Sequence, residues 1–148
     1  MKLTTDTIVA AATALSQPTT KFTKMVNADK FAVIKAMRVF RPVAEAFDKF
    51  KADAREKLKP ENFEAIQEQA KRYDELTEAE RVDFTVAYND YERAVNDCVT
   101  DELRKEVEVD YQTISEEAFG ALLESNDFNI VTSMALQDAL CGVADKKE

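Results

Sequence analysis

Histidine and tryptophan are absent from this 148-residue chain, and glycine and cysteine occur only twice each. Each absence excludes some chemistry. Without histidine there is no usual general base for neutral pH, no commonest metal ligand and no ordinary catalytic triad. Gly120 and Gly142 are too few to form either familiar phosphate-cradling loop. Cys98 and Cys141 are too isolated for a disulfide framework or a metal knuckle, and Cys98 falls on a helical apolar face, where a buried thiol is expected. No apolar run approaches the roughly 20 residues that span a bilayer. Residues 8–15, IVAAATAL, follow Lys2 as the core of a signal peptide would. The run is short and Asp6 spoils its basic flank, so cytoplasmic residence is the expectation.

What is present fits a soluble, ordered, helix-rich chain. Hydrophobic residues make up 45% and charged residues 33%, enough of both for one domain spanning 1–148 with a sizeable core. A net charge of −9 argues against general nucleic-acid binding, which depends on neutralising phosphates. The charge is uneven. Residues 1–60 hold 12 Lys and Arg against 6 Asp and Glu, whereas residues 61–148 hold 8 against 23. The favoured reading is a basic helix beside acidic ones, with fields that cancel. The sharper reading is a polarised surface that steers a partner.

Helical spacing of apolar residues runs from Asn27 to about Leu103 without a glycine. Before it, Thr4 or Thr5 caps a short helix bearing Ile8, Val9, Ala12 and Leu15, ended near Ser16 by Pro18. Residues 18–26 form a connector, with an extended form in view. Asn27 is suited to cap a second helix, with Val33, Met37, Phe40, Ala44, Phe47, Ala54 and Leu58 as its seam. Pro42 should kink or split that helix. Lys59-Pro60-Glu61 stops it, and Pro60 suits the first turn of the next helix, whose face is Phe63, Ile66, Ala70 and Tyr73. Thr77-Glu78-Ala79-Glu80 is a capping box opening a long helix with Phe84, Tyr88, Tyr91, Val95, Cys98 and Val99, the antiparallel mate of the second. Residues 106–111, EVEVDY, alternate as a half-buried strand needing a partner, either residues 1–4 or the 19–26 connector. Ser115 opens a short helix, and a last helix with Met134, Leu136 and Leu140 closes at Gly142 before a fraying DKKE tail. The fold class expected is mostly α (α+β): a long antiparallel helical hairpin with shorter helices and a small β element.

The remaining chemistry is carboxylate. Glu106, Glu108 and Asp110 share one strand face and could hold a hard cation, although a solvated face is the ordinary role of such residues. Asp83, Asp90 and Asp97 recur every seven residues on the long acidic helix. They suit a metal or basic partner less well than a solvated stripe or a face opposite Lys35, Arg38 and Arg41. Tyr73, Tyr88, Tyr91 and Tyr111 fit the rim of a core with hydroxyls in water. Lys21, Lys24, Lys30 and Lys35 flank Phe22 and Phe31, a weak imitation of a nucleic-acid surface on so acidic a chain.

Three stretches in order carry a resemblance: KLTTDTIVAAATAL, FAVIKAMRVFRPVAEAFDKFKADAREKL and EVEVDYQTIS…LLESNDFNIVTSMALQDAL. The most telling part runs from Phe47 to Leu58, where a Phe-x₇-Arg-x₂-Leu spacing follows a basic helix. Spread over about two-thirds of the chain, they resemble a family of small uncharacterised proteins encoded by tailed bacteriophages and prophages. The resemblance implies a phage setting and transfers no catalytic residue. It leads to the expectation of a non-enzymatic protein, without cofactor, metal, nucleic-acid or membrane partner. Such a protein would bind phage structural or assembly proteins, in the bacterial cytoplasm or in the virion. Its partner surface would include Glu106, Glu108, Asp110, Asp83, Asp90 and Asp97, and its wide apolar stripes are compatible with a homodimer. The alternative is an acidic host-directed regulator that mimics nucleic acid or neutralises a basic host protein.

Overall fold

The computed structural model describes residues 1–143; the charged tail, residues 145–148, lies outside the described residues. Two short strands and six helices follow one another: β1 (Lys2–Thr4), α1 (Thr5–Leu15), α2 (Asn27–Lys57), α3 (Phe63–Lys71), α4 (Glu78–Leu103), β2 (Glu106–Glu108), α5 (Glu116–Glu124) and α6 (Ile130–Cys141). A single 3₁₀ turn, Tyr73–Glu75, precedes α4. The chain is mostly α with a small β element, and it divides into two compact units. One is built from both chain ends, Met1–Phe47 and the segment from Leu103 onward; the other is internal, Asp48–Glu102. No helix among the described residues is long and apolar enough to cross a membrane.

In the terminal unit, local chemistry sets the helix ends. The Thr4 hydroxyl accepts from the Thr7 amide at 3.2 Å, which caps α1, and Ser115 caps α5 by accepting from the Ala118 amide at 3.1 Å. Gly142 ends α6 with φ at 86°, a backbone state that glycine adopts without the Cβ clash. β1 and β2 pair antiparallel, Leu3 opposite Val107. The pairing is prolonged at both ends, where the Val109 amide donates to the Met1 carbonyl at 2.8 Å and the Thr5 amide to the Lys105 carbonyl at 2.9 Å. The strand partner is therefore the first residues of the chain. The 18–26 connector turns instead, with Thr20 bonded back to Gln17 and Met25 to Phe22, each at 3.0 Å. The ladder covers only part of the alternating run, but the alternation holds beyond it: Val109 is buried, Val107 and Tyr111 are half-buried, and the three acids are exposed.

The core of this unit joins α1 to α5 and α6. Alanines 11, 12 and 14 on α1 and Ala139 on α6 are buried, and their small size lets these two helices pack more extensively than any other helix pair among the described residues. Ile8, Phe40, Leu122 and Leu136 expose 0% of their surface; each such burial contributes about 1.5–3 kcal/mol. Phe40 meets Tyr111 edge to face, with ring centroids 5.0 Å apart. The Tyr111 hydroxyl donates to the Ala139 carbonyl.

Helix α2 runs unbroken through Pro42, so of the two expected effects, a kink or a split, the split does not occur. Pro42 is exposed, and the Arg38 carbonyl that it leaves without a helical donor can take water on that side. Asn27 is the first helical residue rather than a cap, because the amides of Asp29 and Lys30 already bond to the Val26 carbonyl.

The internal unit comprises the end of α2, then α3 and α4. Pro60 lies in the turn ahead of α3, not in its first turn, and accepts from the Phe63 amide at 3.0 Å. The capping box forms in both directions: the Glu80 amide donates to the Thr77 hydroxyl at 3.2 Å, and Glu80 accepts from the Thr77 amide at 3.3 Å. The end of α2 meets α4 where the Tyr91 hydroxyl donates to the Arg55 carbonyl at 2.7 Å and Arg55 pairs with Glu92 at 3.4 Å. Tyr91 and Tyr111 thus differ from the expected rim tyrosines. Their hydroxyls are spent on backbone carbonyls, which is the way a buried phenol avoids an unmet donor.

Candidate interaction surfaces

The six acidic residues singled out in the sequence are all exposed. Asp83, Asp90 and Asp97 lie on α4 at seven-residue steps, about 10 Å apart along the axis. None of them is in an ion pair among the described residues. Glu106 and Glu108 lie on β2 and Asp110 just beyond it; Glu108 accepts from the terminal amine of Met1 at 3.0 Å. Among the described residues, no group of three or more Asp, Glu, His or Cys is placed to hold a metal ion. The α4 acids belong to the internal unit and the strand acids to the terminal one.

In the internal unit, the aromatic residues Phe63, Tyr88 and Tyr91 line a cleft of about 340 Å³ with Ile66, Arg55, Lys59 and Glu92. Its charges are already engaged: Arg55 pairs with Glu92, and Lys59 pairs with Glu56 at 2.9 Å while sitting 5.0 Å from the Phe63 ring centre. The hydrogen bond that Lys59 donates to the Glu56 carboxylate holds its ammonium above its usual pKa.

Two surfaces in the terminal unit escaped the sequence reading. On α6, Ile130, Val131 and Met134 are 75%, 73% and 60% exposed. That helix is apolar nearly all round, so periodicity gives no hint of which side faces the core. Met134, grouped with Leu136 and Leu140 in the sequence, points away from them. The second surface is a groove of about 460 Å³ between the end of α1, the connector and α2. Leu15, Phe22, Val33 and Met37 form its apolar part, exposed Ile34 stands at its side, and Arg38 and Arg41 line it as well. Neither arginine has an ion-pair partner among the described residues.

A polar pocket of about 570 Å³ joins α1 to the α5–α6 turn, but its amides hold the fold together. Asn126 accepts from the Lys21 amide at 2.8 Å and donates to the Leu122 carbonyl at 2.9 Å. Cys98 and Cys141 are free thiols, both half-buried, so Cys98 is less enclosed than its helical position suggested. Burial pushes the Cys141 thiol above its usual pKa, with Glu116 adding to the shift, and this opposes thiolate reactivity.

The chain has no significant match among protein-family models, curated proteins or solved structures.

Proposed function

We propose that this protein binds other proteins and performs no catalysis, and that it serves the assembly of a phage virion or tail. The observation that carries the reading is uncovered apolar surface on firmly built helices. Ile130, Val131 and Met134 share one side of α6, at positions i, i+1 and i+4, while Leu136, Ala139 and Leu140 of the same helix anchor it in the core. Val26, just ahead of α2, and Phe31 and Ile34 in its first turns are 63%, 55% and 49% exposed. Clusters of this kind mark docking surfaces more often than single exposed residues do. The three-residue β2 contributes less, since short strands flanked by charge discourage strand addition. The phage setting rests on the sequence resemblance.

Affinity capture of the tagged protein from prophage-induced host cells tests this reading. Recovery of head or tail proteins supports it, and turnover of any metabolite by the purified protein overturns it. The unpaired acidic stripe of Asp83, Asp90 and Asp97 favours a second reading, an acidic decoy for a basic host protein. Recovery of a host nuclease, polymerase or repressor, released steeply as salt rises, is the signature of that alternative.

A further inference from the structure

We propose that the groove between α1, the connector and α2 seats an acidic segment of a partner protein through one apolar anchor and a pair of carboxylates. This deepens the protein-binding reading above and rests on it. The groove is open and apolar in one part, where Leu15, Phe22, Val33 and Met37 are buried or half-buried and Ile34 remains 49% exposed. A volume of about 460 Å³ takes one or two large side chains. Ile34, Arg38 and Arg41 follow one another at four and three residues, so they share a face of α2 and span about 10 Å along it. A partner helix carrying Leu or Phe, with Asp or Glu two turns away, has the matching spacing.

Charge selects that partner. Residues 21–41 hold six Lys and Arg, and their single acid is Asp29. Lys35 lies 4.9 Å from the Phe31 ring centre, whereas Arg38 and Arg41 have neither an ion pair nor a ring partner among the described residues. Glu45, one turn beyond Arg41, leaves it unpaired. A guanidinium is suited to grip a carboxylate through two parallel hydrogen bonds. A nucleic-acid backbone would use the cations and waste the apolar floor. An uncharged helix would fill the floor and leave the cations idle. An acidic amphipathic segment uses both.

The test is fluorescence anisotropy of the full chain with two short synthetic amphipathic peptides of equal apolar face, one bearing glutamates and the other lysines. The glutamate peptide should bind and the lysine peptide should not. Arg38→Glu/Arg41→Glu should weaken the glutamate peptide about tenfold or more and should gain affinity for the lysine peptide. Ile34→Asp should weaken the glutamate peptide as well. These side chains are exposed, and an unchanged circular-dichroism melt verifies the fold of each variant. The gain by the lysine peptide is a result that a misfolded variant would not give. Failure of the glutamate peptide to bind, equal binding of both peptides, or displacement by an oligonucleotide or by dodecanoate alone would overturn the proposal. Capture of phage proteins by the double variant as well as by the wild type would remove the groove while leaving the protein-binding reading intact.

Discussion

The unit made from the chain ends and the internal unit differ in how they are held. The first closes over Ile8, Phe40, Leu122 and Leu136, none with any exposed surface, and a β ladder ties its first residues to the segment after α4. In the second, the buried hydrophobic residues among the described ones are Ala54, Ile66, Tyr91 and Val95, and of these only Val95 is fully buried. Its order depends on oriented contacts: the Tyr91 hydroxyl on the Arg55 carbonyl, the Thr77–Glu80 box, and the ring series Tyr73, Phe84 and Tyr88, tilted at the first contact and stacked at the second. A cluster of apolar burial is worth many kcal/mol, whereas single hydrogen bonds net about 0.5–1.5 each. Long helices alone do not make a stable body. Length gives backbone bonds, and burial supplies most of the stability.

Core truncations should separate the two units most sharply. Phe40→Ala removes a ring with 0% exposure and is expected to cost about 3–5 kcal/mol, seen as an early urea midpoint for the terminal unit. Ile66→Ala leaves a smaller cavity near a half-open cleft and should cost about 2 kcal/mol, with lost amide protection confined to residues 48–102. Equal global loss from both variants would contradict the division. Thr77→Ala breaks the capping box and should lower stability by about 1 kcal/mol, read as faster exchange in the first turn of α4.

The last effect shows only at alkaline pH. Burial pushes the Tyr111 phenol up to about 12, above its usual value near 10. The folded state thus holds the proton more tightly than the unfolded chain does. Its contribution is fully present below about pH 10 and is lost as pH rises toward 12. Tyr111→Phe should flatten alkaline denaturation across that window, and an unchanged profile would show that the phenol is not the cause.

Legibility in the sequence followed the range of the interaction. Thr4, Ser115 and the Thr77–Glu80 box act on backbone groups a few residues away, and Gly142 acts through its own positive φ, so their roles were readable from local order. The partner of the EVEVDY run lay open between two segments, because pairing is decided by which distant segment the fold brings alongside it. Tyr91 and Tyr111 find carbonyls 36 and 28 residues away, which spacing does not disclose. Arg38 and Arg41 look like ordinary surface residues until Leu15 and Phe22 are brought beside α2 to make a groove. On α6 the apolar residues lie on every side, so the exposed trio carried no periodic signal.

Native-state hydrogen exchange followed by mass spectrometry tests the contrast between the units most directly. Amides of α1, α6 and the first half of α2 should exchange only through global unfolding, while α3 and most of α4 exchange at much lower denaturant. Uniform protection across residues 48–102 and the terminal unit, with one shared denaturant dependence, would contradict it.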